Sequence, residues 1–135
     1  LLPEHTRRLT VGFRAYLAMR GAAGVGEEPI GVGVGTTVYR GRAVVASDAD
    51  DAFGRLAPGD VLVTTMTTTA YNAVLTVCGA LVVEEAGPLS HAGVMARELG
   101  LPAVLGATGA VAAIPDGALV EVDPVRGSVR VLERR

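Results

Sequence analysis

The sequence predicts an α/β fold, on three observations. Short β-like apolar runs alternate with short helical stretches along the chain. Half of the residues are apolar, most of them Ala and Val, which suits thin packed layers. Eighteen glycines, against an aromatic content of 4%, point to many tight turns and close backbone contacts. At 135 residues the chain has the size of one ordinary domain and enough apolar surface to bury a core.

Taken in order, residues 5–20 form an amphipathic pattern. Leu9, Phe13, Tyr16 and Leu17 share one helical face, with Arg7, Arg8 and Arg14 elsewhere. The Gly- and Ala-rich stretch from Gly21 to Pro29 is a linker. The expected division is therefore an N-terminal helix and linker over 1–28, continuing from a preceding region, and a domain over 29–135. A first residue of Leu1 rather than Met fits a segment cut from a longer polypeptide.

Within the domain, Thr36 to Tyr39 and Arg42 to Ala46 are expected as two strands separated by Arg40-Gly41. Val61 to Thr65 is a strand after the turn Ala57-Pro58-Gly59-Asp60. A helix is expected from about Ala70 to Val77, capped by Thr69. Leu81 to Glu84 is a short buried strand. A helix from His91 to Leu99 follows, stopped by Gly100 with Pro102 just beyond. Ala103 to Leu105, Leu119 to Val122 and Val129 to Leu132 complete the strands, the last two joined by a turn at Pro124 to Ser128. The run Gly31-Val32-Gly33-Val34-Gly35 lacks the third glycine of a dinucleotide fingerprint and is expected to serve backbone turns.

Several function classes fall away. The net charge is −2 with no basic cluster, which argues against a nucleic-acid partner. No apolar run approaches the length of a membrane span. Cys78 is the single cysteine, so no disulfide forms within the chain; a reducing cytoplasm is the expected compartment. Cys78 itself is expected as a small core residue. His5 and His91 stand far apart, and no His, Cys and carboxylate set has metal-ligand spacing.

The chemistry concentrates between Glu85 and Gly106. A loop containing Gly87 delivers Ser90 and His91 to the start of a helix, with Ser90 as N-cap. Ala92, Met95, Ala96 and Leu99 make its buried stripe. The positive end of the helix dipole disfavours an imidazolium and leaves His91 with a lone pair that can attack phosphorus. The unpaired backbone N–H groups of the same turn, Ala92 among them, can hold the oxygens of the arriving phosphoryl group. Gly87 and Gly93 would admit a bulky phosphorylated substrate, and Ser90 would add a hydroxyl contact. From the residues alone two other roles for His91 stay open: a capping or surface residue, and the general base of a small hydrolase or lyase. A Ser-His-Asp hydrolase finds no support, because Ser90 directly precedes His91 and no G-x-S-x-G elbow occurs.

Ser90-His91-Ala92, Ala96-Arg97-Glu98-Leu99-Gly100 and Pro102-Ala103-Val104 through Gly106 resemble the signature of the mobile phosphohistidine domain of phosphoenolpyruvate-utilising enzymes. That family includes phosphoenolpyruvate synthase, pyruvate phosphate dikinase, enzyme I of the sugar phosphotransferase system and the rifampicin phosphotransferases. Weaker resemblance extends over about residues 29–132, at Gly33 to Val45, Leu56 to Val63 and Asp116 to Val129. The chain departs from the family at Thr68-Thr69-Ala70-Tyr71-Asn72, where only the aromatic survives as Tyr71. It also has Ala86-Gly87 where paired glycines are common. The resemblance implies a three-layer, swivelling β/β/α fold with an N-terminal connector helix, and phosphorylation of His91. It implies a support role for Arg97 and a donor, phosphoenolpyruvate or ATP, held by a partner domain. An ATP-grasp domain, a phosphoenolpyruvate- or pyruvate-binding domain, or both, would lie in the same polypeptide and carry Mg²⁺, with no cofactor held tightly by this domain. The alternative within the same fold is a degenerate domain with a binding or regulatory role.

Overall fold

The computed structural model describes residues 28–134. The expected helix over residues 5–20 and residues 21–27 of its linker lie outside these residues. The described chain runs β1 (Val32–Val34), β2 (Tyr39–Val45), α1 (Ala49–Arg55), β3 (Val61–Thr64), α2 (Asn72–Leu75), β4 (Ala80–Val83), α3 (His91–Leu99), β5 (Ala103–Leu105), α4 (Ala110–Ala113), β6 (Leu119–Asp123) and β7 (Ser128–Glu133). A single 3₁₀ turn, Thr69–Tyr71, leads into α2. The mixed α/β class expected from the sequence stands.

One seven-stranded sheet has the order β1-β5-β4-β3-β2-β6-β7. Strands β2, β3, β4 and β5 pair in parallel, while β1, β6 and β7 are antiparallel to their neighbours. Every residue of β3, β4 and β5 is buried, as expected of parallel strands covered on both faces. On one face Leu62, Leu81, Val83 and Leu105 pack with Val74 and Leu75 of α2 and Ala92 and Ala96 of α3. On the other, Val61, Val63, Val82 and Val104 pack with Ala110, Ile114, Val120, Val122 and Val129. That second cluster exists because the sheet curls, which brings β6 and β7 back over the parallel strands. Cys78 is buried in the first cluster, and burial pushes its thiol up to about 11.

The curl closes where the chain entering β1 meets β7. The Gly31 N–H donates to the Gly127 carbonyl over 2.8 Å, and the Val129 N–H to the Pro29 carbonyl over 3.1 Å. A Cβ on Gly31 would strike the Leu105 carbonyl, and one on Gly33 the backbone of Pro124. The Gly-Val-Gly-Val-Gly run is therefore not mainly a set of turns. Val32–Val34 is a strand, and only Gly35 takes a positive φ, 97°. Close backbone approach is the reason for the other two glycines.

Three further expectations change. Of the two strands expected over 36–39 and 42–46, Thr36 to Val38 are not in a strand, and Tyr39–Val45 forms one continuous strand, β2. Its first half pairs with β6 and its second with β3, so it passes straight through Arg40-Gly41. Helices α1 and α4 were not expected. For α1 the signal is Asp48, whose side chain accepts from the Asp51 N–H over 2.8 Å as N-cap. The helix expected over 70–77 is the 3₁₀ turn followed by one α turn, capped by Thr68 rather than Thr69. Helix α3 runs from His91 to Leu99 between Ser90 and a left-handed Gly100, as expected. Its buried face holds Ala92, Gly93 and Ala96, whereas Leu99 is exposed and Met95 only partly buried.

Candidate functional site at the carboxyl ends of β3 and β4

Because β3 and β4 run parallel, their carboxyl ends lie side by side, the position where open α/β sheets leave a crevice. The pairing continues beyond the strands: the Glu84 N–H donates to the Thr64 carbonyl over 3.1 Å and the Glu85 N–H to the Thr65 carbonyl over 2.7 Å. The loop after β3 carries Thr67 and leads into α2. The loop after β4 carries Gly87 and Ser90 and leads into α3. His91, the first residue of α3, therefore stands against Thr67 and Asn72.

Both ring nitrogens of His91 are engaged. Nδ1 lies 2.7 Å from Thr67 Oγ1, and Nε2 lies 2.8 Å from Asn72 Oδ1. The amide oxygen can only accept, so Nε2 carries the proton and donates to it. In the neutral ring the Thr67 hydroxyl then donates to Nδ1. Thr67 is buried, while His91 and Asn72 are half-buried, so the Nε2 side of the ring is the side nearer solvent.

Each partner is held by its own local structure. Thr64 Oγ1 donates to the Ala46 carbonyl over 3.0 Å, and the buried Tyr71 hydroxyl donates to Thr64 Oγ1 over 3.1 Å. That link pins the 3₁₀ turn to β3 and sets where Asn72 begins α2. Ser90 does the same for His91. Its hydroxyl donates to the Gly87 carbonyl over 2.6 Å and accepts from the N–H groups of Gly87 (3.2 Å) and Gly93 (3.3 Å). Ser90 thus closes the loop and caps the helix together. The N–H groups of His91 and Ala92 face no protein acceptor among the described residues.

The sequence-derived candidates separate on this geometry. Ser90 and His91 are adjacent and shaped for a helix-terminal site, but the Ser90 hydroxyl is occupied by Gly87 and Gly93. Gly93 is a packing glycine: a Cβ there would strike the Pro88 and Gly87 carbonyls. Gly87 faces open space. The Ala92 side chain is buried in the core. Arg97 is exposed near the far end of α3. Sequence reading did not single out Thr67 or Asn72. Their signal lay in topology, since only parallel pairing of β3 with β4 sets the hydroxyl-rich end of one strand beside the histidine loop of the other. Among the described residues no group of three or more His, Cys, Asp or Glu could hold a metal ion. No described helix is long and apolar enough to cross a membrane.

Residues 56–127 match the family model for the mobile domain of PEP-utilising enzymes, a stretch that covers β3 through the turn before β7 and contains the whole site. The chain belongs to this family. It is 41% identical over 112 residues to an uncharacterised protein of Mycobacterium tuberculosis, covering 83% of this chain and 13% of that one. It is 41% identical over 99 residues to phosphoenolpyruvate synthase of Aeropyrum pernix, covering 73% and 12%. A pyruvate kinase of Lactobacillus delbrueckii subsp. bulgaricus is 38% identical over 99 residues, covering 73% and 17%. The chain therefore spans less than a fifth of each of these relatives and corresponds to one domain of much longer proteins. Among solved structures, enzyme I (nEIt) superposes with a TM-score of 0.50 at 29% identity, covering 57% of this chain and 32% of that chain. The aconitase X of Thermococcus kodakaraensis superposes with a TM-score of 0.59 at 20% identity, covering 78% and 98%, a likeness of fold alone. Fold does not choose the chemistry here; the residues at the carboxyl ends of β3 and β4 do.

Proposed function

We propose that this PEP-utilising mobile domain is a phosphoryl carrier, in which His91 accepts a phosphoryl group from phosphoenolpyruvate or ATP on a partner domain and passes it to a second site. The observation that carries the proposal is the placement of His91 as first residue of α3, with its Nε2 side nearest solvent and two backbone N–H groups of the same turn open to an anion. In the transfer, the Nε2 lone pair attacks phosphorus and a new N–P bond forms. The P–O bond to the leaving group breaks, and its electron pair departs with that oxygen. The ring proton must then reside on Nδ1, where Thr67 Oγ1 can accept it. Positioning and neutralisation of charge supply most of such catalysis. The cations, Mg²⁺ included, belong to the partner domains in this scheme, an ATP-grasp domain, a phosphoenolpyruvate- or pyruvate-binding domain, or both. The sheet, its curled-back β6–β7 part and the helical face then correspond to the three layers of a swivelling β/β/α unit. The linker over residues 21–29 would be its hinge, in a cytoplasmic enzyme inactive without its partner domains.

The test uses the full-length parent protein with donor and Mg²⁺. Acid-labile phosphate should appear on His91 and vanish in His91→Ala. Absence of label from the wild type, or undiminished label in the variant, refutes the carrier role.

A further inference from the structure

We propose that Asn72 is a latch on the carrier histidine: its side-chain amide holds His91 Nε2 in the resting domain and must leave that nitrogen before phosphorus can reach it. The latch presupposes the carrier role of His91. Asn72 Oδ1 lies 2.8 Å from Nε2, within hydrogen-bonding reach of the proton that nitrogen carries. A phosphorus atom poised for attack must approach the same nitrogen to about 3–3.5 Å. The two occupants exclude one another. The amide oxygen also selects the tautomer with its proton on Nε2, whereas attack from Nε2 requires the proton on Nδ1.

Of the two ring partners, Asn72 is the one built to move. Thr67 is buried at the end of β3, while Asn72 is half-buried at the start of a four-residue helix. The backbone beneath Asn72 is fixed by the link from Tyr71 to Thr64, so release needs only rotation of the Asn72 side chain. Withdrawal of the amide frees the Nε2 lone pair while Nδ1–H donates to Thr67; rotation to present NH₂ would leave that lone pair occupied by an N–H donor. The docked donor would then displace the latch, and the undocked carrier would keep its nucleophile covered.

The test uses the 135-residue chain with phosphoramidate, a small phosphoryl donor that needs no partner domain, followed by ³¹P NMR. Asn72→Ala should label His91 about three- to tenfold faster than wild type, the range one net hydrogen bond confers. Asn72→Asp keeps an acceptor on Nε2–H and adds a negative charge, so it should label more slowly than wild type. A merely structural role would slow both variants, and that outcome overturns the latch. The ¹⁵N ring shifts of His91, read without any donor, form the second arm. They should show Nε2–H favoured in wild type and a redistributed proton in Asn72→Ala. Identical shifts in the two chains also overturn the latch. Absence of label from every chain bears on the carrier role, which the full-length labelling decides, and the ring shifts then decide separately whether the latch stands.

Discussion

Two regions of this domain depend on close contact between distant segments, and they achieve it by opposite means. Where the chain entering β1 meets β7, contact is made by backbone, and glycine is required because side chains would not fit. Where β3 and β4 end, contact is made by side chains: Thr67 and Asn72 on the two nitrogens of His91, and Ser90 on its own loop. The difference separates stability from chemistry. The closure holds the sheet in its curl and carries no reactive group. The site carries the reactive group on a frame already held by the core.

Substitutions should therefore divide cleanly between the regions. Gly33→Ala drives a Cβ into the Pro124 backbone and should cost about 3 kcal/mol or more in chemical denaturation. Gly87→Ala, facing open space, should stay within about 0.5 kcal/mol. Equal losses at the two glycines would break the contrast. Thr67→Val removes the Nδ1 partner; it should lower the phosphoramidate labelling rate of His91 about tenfold while stability falls by about 1 kcal/mol. Ser90→Ala should cost about 1 kcal/mol through loss of the α3 cap, measured by thermal or urea unfolding.

The smallest effect concerns pH. Hydrogen bonds from Arg55 and from the Ser47 N–H hold the Asp51 carboxyl well below the ordinary carboxylate range. The Val45 N–H, then Arg55, lower Asp116; Arg40, then Arg130, lower Glu121. A carboxylate depressed in the folded state contributes stability that is present above its unfolded value, about 4. That stability is lost as pH falls through the folded value. Urea midpoints should thus begin to fall below about pH 5 and keep falling toward the depressed folded values. Arg55→Met should flatten the fall, because Asp51 and Asp116 both lose their cationic partner. Because these groups lie away from the ring, the tautomer of His91 at neutral pH should be the same in Arg55→Met as in wild type.

Much of this was legible in the residues. Ser90, the small-residue face after His91 and the terminal Gly100 defined α3 to its ends, because capping and stop signals act over a single turn. The alternation of apolar runs with helical stretches disclosed the α/β class, and the contiguous motif from Ser90 to Gly106 disclosed the family. Local pattern failed where two strands share one segment. Arg40-Gly41 looks like a turn, yet β2 runs through it because β6 and β3 flank its two halves.

The sequence by itself determined the histidine, its helix and the hydrophobic strands beneath, since each follows from interactions within a few residues. The tertiary structure alone decided that Gly31 and Gly33 are contact points and that Gly93 packs against its own loop. It also decided that Thr67 and Asn72 grip the histidine. Those partners lie 24 and 19 residues away from it. Only the parallel pairing of β3 with β4 brings them within hydrogen-bonding distance, and no short-range pattern encodes which strands become neighbours.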